Sequence, residues 1–317
     1  MTGILLLNLG GPDSLEAVRP FLYNLFSDRG IIRLGPALMQ KPIAALISSV
    51  RSKKTSALYN LIGGRSPIAE ITGAQAQLLE DSLKSSGLNN IKVYVGMRYW
   101  HPFIEDTAAM MYSDGVKKVL VLSLYPQYSA ATTGSSVNVF KKTASNYGFQ
   151  YYCAGSWFND PLYIDALVEK IEAACLQFSE KPDLLFSAHS LPQKLIDEGD
   201  PYFDETMGTI SELMKRIDLQ WHLSFQSKSG PVKWIGPSTE DMLASLASKD
   251  VKNLLVVPLS FVSDHIETLY EIDMLYTDMA ARLGINMKRI ESLNTSEKFI
   301  KALCGITVKN LEHMRWI

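Results

Sequence analysis

Only three cysteines, Cys153, Cys175 and Cys304, occur in 317 residues, far apart and with no C-x-x-C spacing. That scarcity excludes a zinc knuckle and an iron–sulfur ligand run and suits a reducing compartment. No stretch reaches the roughly 18 unbroken apolar residues of a membrane-spanning helix. The apolar N-terminus, residues 1–12, lacks a basic leader and a small-residue cleavage site, so it is read as a first strand and not as a secretion signal. Neither sign of charge is in excess: 31 Lys and Arg face 33 Asp and Glu, a net charge of −2 that argues against a general nucleic-acid binder. There is no G-x-G-x-x-G and no P-loop lysine, hence no phosphate-cradling loop of either kind. A G-x-S-x-G elbow and a basic partner for a cysteine are also missing, which leaves nucleophilic catalysis without support. A soluble cytoplasmic protein is expected.

The chain is long enough for two domains of about 150 residues each, and 47% of it is apolar, so core material is ample. Strand candidates fall at 4–9, 92–97, 118–124, 149–154, 184–188, 222–226, 254–259 and 287–290, most of them short apolar runs. They alternate with helical patterns at 14–26, 73–85, 103–112, 161–178, 203–216, 239–247, 264–283 and 296–314. Such alternation predicts parallel sheets built from βαβ units, four strands to each half. Residues 116–124 echo 251–259, each followed by a polar aromatic loop, a helix, and a glycine leading into another strand. The echo favours two similar lobes, with a ligand cleft where their strand ends face each other. The expected division is 1–150, completed by a final helix at 295–317, and 151–294.

Chemistry concentrates at two strand ends. The apolar run Asp183 to Ala188 stops on His189, set between Ala188 and Ser190 and closed by Leu191 and Pro192. In an open α/β sheet the carboxyl ends of the strands face the ligand crevice; the plainer alternative is an imidazole hydrogen-bonded in the core. The second strand end runs into Asp264-His265-Ile266-Glu267 and on to Glu271. On a helix starting near Ser263 or Asp264, the residues Asp264, Glu267 and Glu271 share one face, a stripe of like charge that a cation would relieve. A capping box with Asp264 as cap is the structural alternative. An imidazole facing a carboxylate suits a divalent metal or proton transfer. Elsewhere, no acidic residue lies between Asp28 and Glu70, while Arg29, Arg33, Lys41, Arg51, Lys53, Lys54 and Arg65 are interleaved with apolar residues. This segment reads either as a solvated helix face or as a lip that touches anionic lipid or an apolar ligand bearing carboxylates.

Together, Asn8-Leu9-Gly10-Gly11-Pro12, Gly63-Gly64-Arg65-Ser66-Pro67, Met97-Arg98-Tyr99, Tyr125-Pro126-Gln127-Tyr128-Ser129, Ser187 to Pro192, Phe225-Gln226-Ser227 and Asp264 to Leu269 run in order over nearly the whole chain. This ordered set resembles the ferrochelatases, which insert ferrous iron into a porphyrin. The resemblance implies an α/β fold of two Rossmann-like lobes, each a four-stranded parallel sheet flanked by helices, with the porphyrin between them. It implies His189 as metal ligand and proton acceptor, Glu267 as second metal ligand or proton carrier, and Glu271 as the continuation of an acidic path. Arg51, Tyr59, Ser66, Arg98, Tyr99, Tyr125, Trp234 and Phe261 match porphyrin-contacting or pocket positions. Leu9 stands where the mitochondrial type has methionine. Ala130 and a cysteine-free tail stand where iron–sulfur relatives carry cluster ligands, so no cluster and no other cofactor is expected, iron being a substrate. Metallation must remove two pyrrole protons, and an imidazole with an ordinary pKa of about 6.5 accepts protons near neutrality. The loop at 125–129 looks more like the protoporphyrin type. Insertion into coproporphyrin, and a tetrapyrrole or metal carrier without catalysis, are the alternatives. Peripheral membrane contact and no nucleic-acid partner complete the expectation.

Overall fold

Ile4, Leu5, Leu6 and Leu7 are wholly buried, as are Leu184, Leu185 and Phe186. Runs without polar alternation belong to parallel strands covered on both faces, and burying each such side chain contributes about 2 kcal/mol. The computed structural model describes residues 1–31, 34–228 and 232–317; Arg33 of the basic segment and Ser229 and Gly230 of the loop after the sixth strand lie outside the described residues. The chain divides into two compact units, Met1–Ser156 with Leu303–Ile317, and Trp157–Ala302.

The first unit contains β1 (Thr2–Asn8), α1 (Val18–Ser27), α2 (Gln40–Leu61), α3 (Ile68–Ser85), β2 (Ile91–Met97), α4 (Ile104–Ser113), β3 (Lys118–Ser123), α5 (Ser135–Ala144) and β4 (Gln150–Cys153). Its four parallel strands lie in the order β2-β1-β3-β4. On one face Leu5, Tyr94, Val119 and Val121 pack with Ile104, Met111 and Phe140 from α4 and α5. Both α2 and α5 fall outside the helical patterns read from the sequence. Serines and lysines dilute the apolar period of α2, and α5 opens with Ser135 and Ser136.

The second unit contains α6 (Pro161–Cys175), β5 (Asp183–His189), α7 (Gln193–Asp197), α8 (Tyr202–Met214), β6 (Trp221–Gln226), α9 (Thr239–Ser248), β7 (Asn253–Pro258), a π-wound segment Glu267–Tyr276, α10 (Thr277–Arg282) and β8 (Asn286–Arg289). The last helix, α11 (Glu297–His313), crosses the division. Here the parallel order is β6-β5-β7-β8, the same topology as in the first unit. From β5 the chain winds to β6 on one side and then returns to β7 on the other, so β5 and β7 flank a topological switch point, where open α/β sheets bind ligands. Register fixes what meets there: His189 sits opposite Gln226, and Ser187 opposite Pro258. Beneath, Leu185, Leu254, Val256 and Met287 pack on Leu243, Ile272 and Tyr276. Among the described residues no helix is long and apolar enough to cross a membrane.

Candidate active site at the switch point of the second unit

His189 ends β5 with its backbone pinned. Its N–H donates to Ser260 Oγ at 2.8 Å, its carbonyl accepts from Tyr202 Oη at 2.9 Å, and those two hydroxyls lie 2.6 Å apart. The imidazole keeps 31% of its surface exposed. Its Nδ1 lies 2.9 Å from Glu267 Oε2, which also accepts from Gln226 Nε2 at 3.0 Å. Ser187 Oγ donates to Gln226 Oε1 at 2.6 Å and so orients that amide with its nitrogen towards Glu267. Ser187, Gln226 and Ser260 stand near or just past the ends of strands, Glu267 at the start of the π-wound segment and Tyr202 at the start of α8.

The charges are strongly coupled. Burial pulls the His189 imidazole down, but the Glu267 carboxylate, with Glu271 behind it, reverses this and holds it above its ordinary value. Burial pushes Glu267 up, yet His189 and His265 keep its carboxyl well below the carboxylate range. Glu271 is less fully compensated: burial and the neighbouring Glu267 charge push it up to about 7, outweighing the hydrogen bond from Ser227 Oγ at 2.6 Å and the pull of His189 and His265. Ser227 makes that bond from a left-handed backbone, φ 66°, a conformation that costs a serine on the order of 1 kcal/mol and is found disproportionately at functional sites.

His265, a residue the sequence reading passed over, is buried with Nδ1 3.1 Å from the Ser263 carbonyl. A carbonyl only accepts, so Nδ1 carries the proton. Nε2, with no hydrogen-bond partner, then faces Glu267 Oε1 at 3.8 Å. A proton on that nitrogen would point at the carboxylate, and this is how the imidazole favours the ionised Glu267. Phe261 packs against both imidazoles, its ring centre 6.0 Å from that of His189 and 4.1 Å from that of His265.

Asp264 departs from expectation. It lies ahead of the helical segment, turned away from the acidic stripe, and accepts from Ser292 Oγ, Asn294 Nδ2 and Thr268 Oγ1 while pairing with Arg289. No capping box forms either, because Ile266, at the cap position, makes no side-chain bond. The acidic pair is therefore Glu267 and Glu271. Gln226 and Ser227 belong to a strand-end motif already singled out in the sequence, though without a role as partners of these acids; Ser260, Tyr202 and Arg289 carried no signal.

The remaining sequence candidates are distributed over both units. Trp234 is bridged through its backbone to Pro192, directly after the His189 motif. In the first unit, Arg98 Nη2, Tyr99 Oη and Ser135 Oγ all donate to Asp28 Oδ2, at 2.6, 2.7 and 2.7 Å. Burial pushes Asp28 up and these donors more than compensate, holding it below its ordinary value. Arg98 and Tyr99 thus anchor the turn after α1. Tyr59, Ser66 and Tyr125 are buried. The Ser66 hydroxyl packs on Gly11, where an added Cβ would meet it at 2.5 Å, so glycine is required for the approach. Arg51 is exposed, its guanidinium 5.3 Å from the Phe26 ring centre. Of the other basic residues, Arg29 bonds the Gly35 carbonyl and Arg65 pairs with Glu70. The three cysteines are free and half-buried.

A His–Glu pair at the switch point of one of two topologically identical parallel sheets defines a chelatase-type α/β protein. Solved structures agree on the fold: SirB from Bacillus subtilis with Fe3+ gives a TM-score of 0.57 at 12% identity, with 97% of this chain and 94% of that one covered. CbiX, described as the terminal enzyme for biosynthesis of siroheme in denitrifying bacteria, gives 0.52 at 10% identity, covering 97% and 98%. The ferrochelatase family model matches residues 1–311. A ferrochelatase from Geotalea uraniireducens is 50% identical over 316 residues, 98% of each chain, and one from Gloeothece citriformis is 45% identical over 98% of this chain and 82% of its own. The chain belongs to the ferrochelatase family.

Proposed function

We propose that the chain inserts ferrous iron into protoporphyrin IX to give protohaem with release of two protons, a lyase step of haem biosynthesis in the bacterial cytoplasm. The observation that carries this reading is the 2.9 Å bond between His189 Nδ1 and Glu267 Oε2. A carboxylate on Nδ1 fixes the tautomer and raises the basicity of the ring, leaving Nε2 to accept a pyrrole proton, while a metal would take the place of the proton between Nδ1 and Glu267. Glu271, near 7, is matched to carrying protons at neutral pH. Among the described residues no group of three or more His, Cys, Asp or Glu forms a metal cage. A two-donor site of His189 and Glu267 suits a metal in transit, since the porphyrin nitrogens can compete for its open positions. Arg51, Tyr59, Ser66, Tyr125, Trp234 and Phe261 are the porphyrin contacts in this reading, with Arg98 and Tyr99 acting through Asp28. No iron–sulfur cluster or other cofactor takes part.

The basic segment extends the proposal to a peripheral membrane contact. On and beside α2, Leu38 is 92% exposed and Val50 72%, with Leu46 and Leu61 also exposed, and Lys41, Lys53 and Lys54 stand exposed among them. Apolar side chains with interspersed lysines suit an anionic bilayer surface.

Anaerobic incubation with ferrous iron and either protoporphyrin IX or coproporphyrin III, followed by the porphyrin spectrum, tests the reading. Faster turnover of protoporphyrin is expected. Turnover of coproporphyrin alone would overturn the substrate assignment, and stoichiometric binding without turnover would overturn the activity.

A further inference from the structure

We propose that Arg289 is a positioning residue that holds the iron-handling segment in its π-wound form by gripping Asp264, just ahead of it, and Asp273, within it, with one guanidinium. The inference rests on reading Glu267 and Glu271 as the acidic groups of metallation, and it concerns what fixes their geometry.

Arg289 ends β8 with its side chain 10% exposed. Its Nε and Nη2 donate to the two carboxylate oxygens of Asp273, both at 2.7 Å. Its Nη1 lies 3.1 Å from Asp264 Oδ1 and donates to Ser292 Oγ at 2.9 Å and to the Ile290 carbonyl at 3.1 Å. Ser292 and Thr268 donate to the same Asp264 oxygen, at 2.7 and 3.0 Å. Asn294 closes the network reciprocally, donating from Nδ2 to Asp264 Oδ2 at 2.7 Å and accepting at Oδ1 from the Asp264 N–H at 2.9 Å. It does so from a left-handed backbone, φ 40°, while its own N–H bonds the Val262 carbonyl at 2.8 Å.

The winding explains why one arginine can serve both aspartates. Thr268 and Asp273 are five residues apart, and in an α-helix such residues point ~140° apart. With i→i+5 hydrogen bonding they come onto one side, and here both face the Asp264–Arg289 network. Rewinding to an α-helix would turn Asp273 away from Arg289 and carry Glu271 away from Ser227. A π-wound stretch is intrinsically unfavourable and persists where its surroundings over-determine it. The forked guanidinium supplies that constraint, and a lysine, a single point charge, cannot grip both carboxylates in the same way.

The test uses the full chain as Arg289→Lys and Asp273→Asn, with circular dichroism and thermal melts confirming folding. Asp273 is 36% exposed, so its variant removes one arm of the grip at little risk to the core and decides alone if Arg289→Lys does not fold. Cobalt binding to the metal-free protein is read by titration, and kcat and KM for porphyrin are read separately. Groups that orient metal ligands change affinity by about 10–100-fold when replaced. Both folded variants are expected to bind cobalt at least tenfold more weakly and to lose kcat, with KM for porphyrin nearly unchanged. Wild-type cobalt affinity and kcat in both would overturn the inference while leaving the proposed activity standing. Restoration by Arg289→Lys alone would reduce Arg289 to charge balance and also overturn it. Absence of turnover in the unmutated chain would instead defeat the proposed function, and the cobalt titration would still report on the grip.

Discussion

Glu271 is the residue whose protonation the fold controls most tightly near neutral pH. Its carboxyl lies near 7 in the folded chain against 4.5 as a free group, so the folded state holds the proton longer than the unfolded state does. Its contribution to stability is fully present below pH 4.5 and is lost as the pH rises through 7. Glu271→Gln removes that titration. In chemical melts across pH 4–8, the variant is expected to gain on wild type between pH 4.5 and 7, by on the order of 3 kcal/mol, and to hold that gain above. A pH-independent difference would contradict the burial of its charge beside Glu267. Glu267→Gln, close to isosteric, is expected to lower turnover about 100-fold or more with little change in porphyrin affinity; a variant that only melts earlier, with normal turnover once folded, would assign Glu267 a purely structural place. His189 was visible in the sequence because an apolar run ends abruptly on it, and Glu267 and Glu271 because their spacing after a second strand end puts them on one side of a helical segment. Asp264 was misread, because its spacing from Glu267 suits a shared helical face and nothing local announces Arg289, twenty-five residues on. His265, in the same motif, went unread because a buried histidine gives no outward sign of which nitrogen is left without a partner.

At the level of elements, the eight described strands were legible between helical patterns, most of them as short apolar runs, since strands buried on both faces need no alternation to betray them, while β4 and β8 are more polar and more exposed. Other features were not, α5 with its serine-rich start among them. The π-winding of Glu267–Tyr276 leaves no trace in residue spacing, because an i, i+4 acidic pair reads equally as α-helix; it comes from Arg289 and the packing of Ile272 and Tyr276 under β7. Helix α2 was seen only as a basic amphipathic stretch, its period blurred by paired serines and lysines. Its proposed membrane role predicts that Lys53→Glu with Lys54→Glu weakens adsorption to phosphatidylserine vesicles by about 1 kcal/mol or more per lysine at low salt, with the difference shrinking as ionic strength rises. Equal sedimentation of both proteins with vesicles at all salt concentrations would return α2 to an ordinary solvated helix.

For the whole molecule, the faint echo between residues 116–124 and 251–259 has a structural counterpart in the shared strand order of the two units. The duplication is unequal in chemistry: β1 ends on Asn8, bonded to Thr72, where β5 ends on His189. A shared strand order thus carries the proposed proton- and metal-handling groups in the second unit, with His189 at their centre. The direct measurement is anaerobic metallation of protoporphyrin by wild type and by His189→Ala, with folding checked by circular dichroism and porphyrin binding by fluorescence. Loss of a positioned base predicts turnover lower by at least about 100-fold, with the fold and porphyrin binding retained. A folded His189→Ala protein that inserts iron at close to the wild-type rate would contradict the assignment.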